Sequence, residues 1–247
     1  MSDPAPVENS PEGSPFSTGD TPINRSAAAI RRISSMMVGQ PLSDEALAVA
    51  ADDLNAVADS LAAVAETSKR PRRQPNRSGH PADFFPTSPM IGYANPVAPP
   101  VDVWSEVGEN GQLEIRGRVT FDYQYEGPPT CVHGGVIAAL FDEFLGSANI
   151  IADKAGMTGT LTVRYRRPTP LLAPLDVVAR FTGMERRKIF TWGGLYHDGE
   201  LTAEADGIFI EVKPGRMLDI VTTNARDSES PVVDPEFIRL IKENTRD

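Results

Sequence analysis

The feature that most constrains this chain is a long apolar run, Val132 to Lys154, broken at its centre by two adjacent acids, Asp142 and Glu143. Its length and composition predict a helix too apolar to face water all round. The two carboxylates make it a poor membrane span. The helix is therefore expected in a protein core, with one of the acids pointing into a pocket.

The segments around it read as strands. Val101–Val107 and Gln112–Phe121 alternate apolar and polar residues, with Asn110-Gly111 between them, which is a strong hairpin signal. Thr158–Arg166, Leu175–Met184, Ile189–His197 and Leu201–Lys213 follow, and Asp198-Gly199 makes the last pair a second hairpin. Two strands, one helix and four strands form an α+β pattern, an antiparallel sheet with one dominant helix.

The N-terminal third is different. Residues 1–67 hold ten acids and three bases, whereas residues 68–80 hold five bases and no acids. Residues 1–23 are proline-rich and are expected to be a disordered tail. Residues 24–67 read as a helical extension. Its first part, Asn24 to Val38, puts Ile30, Ile33 and Met37 on one face. Its second part, Ser43 to Thr67, has Ser43 as a cap and Asp44 and Glu45 in the first turn. There Leu47, Ala50, Leu54, Val57, Leu61 and Val64 alternate spacings of three and four. That stripe fits either a helix packed on the body of the protein or a two-chain coiled coil. Residues 68–82 read as a basic linker and 83–214 as the main domain. Residues 215–247 read as a tail with a short helix starting at Asp234-Pro235.

Composition narrows the function classes. One cysteine, Cys131, and three histidines among 247 residues leave no disulfide framework and no Cys- or His-rich metal centre. A net charge of −10 disfavours nucleic acid and anionic membrane surfaces as partners. Met1 to Pro22 lacks a basic-then-apolar secretory pattern, so a cytoplasmic protein is expected.

The chemistry concentrates at the start of the apolar helix, in Cys131-Val132-His133-Gly134-Gly135. Two glycines at a helix start leave N–H groups uncovered, and the helix dipole adds positive potential there. Both suit a polarised carbonyl. Alternatively, the motif is only a tight entry turn, and the acids downstream are paired or exposed. Asp142 follows His133 by nine positions, roughly 13 Å along a helix. One carbonyl cannot touch both ends of one helix, but two antiparallel copies could supply one end each.

His-Gly-Gly with an acid nine residues after the histidine resembles the PaaI-like acyl-CoA thioesterases of the hotdog fold. Tyr125-Glu126-Gly127-Pro128-Pro129 before it is similar to the mitochondrial long-chain members of that group. So are Met157-Thr158 and Tyr165-Arg166-Arg167-Pro168-Thr169-Pro170-Leu171 after it. The resemblance covers about Asp83 to Pro214. It implies an antiparallel sheet wrapped around one long central helix, in units that pair as a homodimer or a dimer of dimers. It implies hydrolysis of an acyl-CoA to a free acid and CoA, with no metal and no cofactor beyond the CoA of the substrate.

By the same resemblance, Asp142 acts as general base or nucleophile. Gly135 donates its N–H to the thioester oxygen, Gly134 permits close approach, and His133 holds the turn and positions the thioester. Thr158 orients water or the carboxylate, unless it is an ordinary strand-start threonine. Relatives with Asn or Gln before His-Gly-Gly have their nearest equivalent here around Glu126-Gly127-Pro128. Arg164 and Arg166 share one strand face and, with Arg186, Arg187 and Lys188, are candidates for the CoA phosphates. Asn95, Pro96, Pro99 and Pro100 are candidates for the acyl pocket. The competing reading is a non-catalytic acyl-CoA-binding protein. No hydratase constellation and no helix-turn-helix is found.

Overall fold

A computed structural model of the chain describes residues 21–67, 86–154, 156–212 and 216. The hairpin predicted at Asn110-Gly111 is present. Gly111 takes φ 73°, and β1 (Val101–Val107) pairs antiparallel with β2 (Leu113–Thr120). A 3-10 turn, Tyr123–Tyr125, leads to the long apolar helix, here α3 (Gly134–Ile151). Four strands follow: β3 (Gly156–Tyr165), β4 (Pro174–Glu185), β5 (Lys188–His197) and β6 (Glu200–Glu211). The β5–β6 turn uses Asp198 and Gly199 at φ 49° and 76°, as expected for a tight primed turn. The strands form one six-stranded antiparallel sheet in the order β1-β2-β4-β5-β6-β3. This is the α+β, helix-in-sheet architecture that the sequence implied.

The helix fits because the sheet is trimmed beneath it. A Cβ on Gly117 of β2 would sit 2.5 Å from the Phe144 ring of α3. Gly193 of β5 and Gly207 of β6 likewise face Phe141 and Leu145 at close range. Large residues on the helix meet small ones on the sheet, so Phe141, Phe144, Leu140, Leu145 and Ile137 are all buried. Each such side chain stabilises the fold by about 1.5–3 kcal/mol relative to exposure. By length and composition α3 is long and apolar enough to cross a membrane. Its packing makes it the core of this sheet instead.

The opposite face carries a charged cluster. Glu114, nearly fully buried, pairs with Arg116 at 3.0 Å and with Arg180 at 3.5 Å. Arg116 also meets Glu106 at 2.9 Å, and the Arg180 guanidinium lies 4.2 Å from the Trp192 ring centre.

The N-terminal extension begins with α1 (Pro22–Gly39), whose first turn is capped by Thr21. Of the predicted apolar face, Ile33 is half-buried and the other two residues are exposed. Ala27 is buried and Ile23, Asn24 and Arg31 are half-buried, while Ile30 and Met37 are 45% and 50% exposed. The reason is what α1 meets. Gly39 abuts the Tyr123 ring, and Arg31 donates to the Asn95 carbonyl at 3.3 Å. Loop 86–100 is itself tied down by Tyr125, whose hydroxyl donates to the Val97 carbonyl at 2.8 Å. Burial pushes that phenol's pKa up to about 12.

α2 (Asp44–Thr67) starts as predicted, with Ser43 Oγ accepting from the Ala46 N–H at 3.2 Å. Its apolar stripe does not pack on the body. Leu54, Val57 and Leu61 are exposed, and only Leu47 and Ala50 are half-buried. The expected disordered tail, the basic linker and the closing helix at Asp234-Pro235 lie outside the described residues.

Candidate active site

The start of α3 is a closed account of donors except at one position. His133 is the N-cap, and its own N–H donates to the Tyr125 carbonyl at 2.9 Å. Gly135 N–H donates to His133 Nδ1 at 3.0 Å, and Val136 N–H to the His133 carbonyl at 2.9 Å. Among the described residues this leaves the Gly134 N–H as the first-turn donor with no acceptor of its own. The Gly135 N–H, which the resemblance assigns to a thioester oxygen, is engaged by the imidazole. With Nδ1 accepting, the neutral His133 ring carries its proton on Nε2.

Two further contacts shape this end. Tyr165, at the end of β3, donates its hydroxyl to the Gly134 carbonyl at 2.7 Å and lies against Gly134. Thr130, in the loop before the motif, holds φ 64°, costly for a β-branched residue. Its N–H donates to Glu126 at 2.7 Å. The loop in which relatives carry Asn or Gln is therefore closed here by a glutamate. A concavity of about 450 Å³ opens at this end, bordered by Cys131, Gly134, Ile137, Tyr165, Arg166 and Arg167.

The acid end opens elsewhere. Asp142 and Glu143 both border a second concavity of about 530 Å³, together with Ser88, Gly146, Lys154 and Thr158. Thr158 Oγ1 donates to Asp142 Oδ1 at 2.7 Å, which brings together two residues singled out in the sequence. A β-bulge makes this contact. The β3–β6 register shifts between Thr158 and Thr160, leaving Gly159 as the extra residue. Without it, Thr158 would share the face of Thr160, Thr162 and Arg164. With it, Thr158 joins Leu161 and Val163 on the side packed against the core.

Glu143, next to Asp142 in sequence, lies about 100° around the helix from it. In the structure both acids border the same concavity, because loop 86–100 closes over the Glu143 side. Glu143 is hydrogen-bonded to Ser88, and burial pushes its carboxyl above the usual range, with Asp142 adding a smaller push. Ser88 Oγ also accepts from the Met90 and Ile91 N–H groups.

Three of the five candidate phosphate ligands, Arg164, Arg166 and Arg187, are engaged within the chain. Arg164 of β3 bridges to Asp206 of β6, and Arg166 and Arg167, just past the end of β3, bridge to Glu204 and Glu200 of β6. The Asp206 carboxylate raises the Arg164 pKa further. Arg187 donates to the Glu211 carbonyl at 3.0 Å. Arg166 reaches the glycine-end concavity and Arg164 borders neither. Asn95 also borders neither. Its side chain donates to the Thr87 carbonyl and accepts from the Val97 N–H, holding loop 86–100 in shape. Among the described residues, no three His, Cys, Asp or Glu side chains gather where they could hold a metal ion.

Sequence reasoning missed Tyr165 as a cover for Gly134 and the Ser88–Glu143 contact. The first had a signal, since Tyr165 ends the strand that carries Thr158. The second joins a loop to a helix across 55 positions and had none.

No family model matches the chain. A solved protein of the thioesterase superfamily is 33% identical, with a TM-score of 0.68, covering 78% of this chain and 92% of its own. The acyl-coenzyme A thioesterase THEM4 of Xenopus laevis is 35% identical over 91 residues, 36% of this chain and 41% of that relative. THEM4 of Mus musculus is 34% identical over 95 residues, 38% of this chain and again 41% of the relative. The alignments span about two fifths of the length of these curated relatives.

Proposed function

The chain belongs to the thioesterase superfamily, and from that premise we propose that it hydrolyses an acyl-CoA thioester to a free acid and CoA. The observation that carries the reading is the Asp142 carboxylate, held on one oxygen by Thr158 at the edge of an open concavity. Its second oxygen is left to take a proton from water. The water oxygen then attacks the thioester carbon, the C–S bond breaks, and the CoA thiolate leaves with its charge neutralised by the proton Asp142 took up. In the alternative order the Asp142 carboxylate itself attacks the thioester carbon, the C–S bond breaks to release the CoA thiolate, and water opens the resulting anhydride to the free acid and the Asp142 carboxylate.

The carbonyl oxygen needs a donor where its negative charge develops. The Gly134 N–H is the unspent one; the Gly135 N–H serves only if the His133 ring swings away. Two facts support a site built by two chains. The Gly134 and Asp142 ends of α3 open into separate concavities. β3 ends the sheet, so among the described residues its outer edge has no strand partner, and it is mostly exposed. Two copies joined along β3 would be a homodimer with α3 helices running antiparallel.

The test is complementation. Gly134→Pro and Asp142→Ala chains are made separately and together, and assayed with acetyl-, phenylacetyl-, medium- and long-chain acyl-CoAs. Each alone should be inactive. The co-expressed heterodimer keeps one intact site of two and should recover up to half the wild-type rate. Unchanged hydrolysis by Asp142→Ala would refute catalysis by that residue, and no recovery in a confirmed heterodimer would refute the shared site.

A further inference from the structure

The site leaves α2 unused, and α2 carries an apolar seam that, among the described residues, is left exposed. Leu54, Val57 and Leu61 are 37%, 58% and 66% exposed. With Leu47, Leu54 and Leu61 at heptad position a, position d holds Ala50, Val57 and Val64, and position e holds Ala51, Ala58 and Ala65. Asp52, Asp59 and Glu66 fall at f, directly away from the seam.

We propose that α2 packs antiparallel against α2 of a second copy of this chain. The register is symmetric about the middle of the helix. Leu47 meets the partner's Val64, Ala50 the partner's Leu61, and Leu54 the partner's Val57. The same register sets Asp44 opposite the partner's Thr67, so the two helices overlap end to end without overhang. Position e brings alanine against alanine, which lets the backbones approach closely. Asp53, at g, falls opposite the partner's Ser60, not opposite another acid.

Charge selects the antiparallel order. The first turn of α2 carries Asp44 and Glu45, and the sequence just past its end carries Lys69, Arg70, Arg72 and Arg73. Antiparallel packing separates the acidic first turns of the two helices, and it also opposes the helix dipoles favourably. A parallel pair would stack the acidic first turns on each other. An anionic membrane is the wrong partner, since α2 has six acids and no lysine or arginine.

The experiment is cross-linking of the full chain in a Cys131→Ser background. Ala50→Cys and Leu61→Cys chains are expressed singly and together, then treated with a short bis-maleimide. The mixture should give several-fold more covalent dimer than either chain alone. In the antiparallel register a residue at 50 lies about 16 Å from its own copy, beyond a short linker. Efficient cross-linking of Ala50→Cys alone means a parallel pair and overturns the proposal. Absence of cross-linking in all three samples means that α2 docks elsewhere, and also overturns it. Adding Leu54→Asp to both cysteine chains should abolish the cross-link; its persistence counts against the seam. None of these readouts depends on thioester hydrolysis.

Discussion

Gly134 occupies the first helical position, where a proline ring supplies the φ the helix needs and removes only an N–H. His133 before it sits at φ −61°, ψ 130°, the region a following proline prefers. Gly134→Pro therefore deletes the unspent donor with little change in backbone. Gly134→Ala adds the same Cβ, 3.2 Å from the Tyr165 hydroxyl, but keeps the N–H, and is the control. In steady-state kinetics, Gly134→Pro should lose about 10²–10³ in kcat relative to Gly134→Ala, the usual cost of one oxyanion donor. Equal rates would move the donor role back to Gly135. The second residue to test is Glu143. Its carboxyl titrates above the usual range because burial penalises the charge. The neutral form is therefore favoured by folding, and stability falls as pH rises from about 4.5 through the raised value. Glu143→Gln keeps an acceptor for Ser88 and removes that loss. Thermal melts should show the variant gaining on wild type from pH 4 to pH 7 and matching it near pH 4. The placement of His133, Gly134 and Asp142 along one helix was legible in the sequence, from a glycine pair and an acid spaced along one apolar run; the roles expected of them came from the resemblance. Which N–H the imidazole occupies was not legible, because a two-residue difference in hydrogen bonding leaves no trace in composition.

The strands and α3 were legible because each rests on a local pattern: period-two alternation, Asn-Gly and Asp-Gly turns, and a run of apolar residues behind a capping position. The β3 bulge was not, although it aims Thr158. One extra residue in a strand is visible only against its partner, and β6 is more than forty positions away. Which residues of α1 dock was not legible for a related reason. Ile30, Ile33 and Met37 form a plausible stripe, but Tyr123 and the Asn95 carbonyl decided how the helix docks. The charged cluster on β2 and β4 was equally invisible, since Glu114 and Arg116 read as outward residues of a strand. Their burial makes a clear stability prediction. Glu114→Ala leaves Arg116 with Glu106 alone and Arg180 with only the Trp192 face, in a place that water does not reach freely. Urea unfolding should show a loss of about 3 kcal/mol. A loss below 1 kcal/mol would mean that the arginines relax outward at little cost.

At the scale of the molecule, the described residues form one six-stranded sheet and its helix, with an N-terminal helical arm. In the sequence the arm stands out by charge, with ten acids against three bases over residues 1–67. The sequence could not tell whether the arm folds back, because an alanine-rich stripe suits a body surface and a helical partner equally well. The separation of the glycine end from the carboxylate end of α3 has a consequence for the rate law itself. On the proposed shared site, a lone chain is no slower version of the enzyme; it lacks half of the reacting groups. Below the dissociation constant, throughput then rises with the square of the amount of chain present. Doubling expression in that range multiplies flux by about four, and dilution silences the activity faster than it removes the protein.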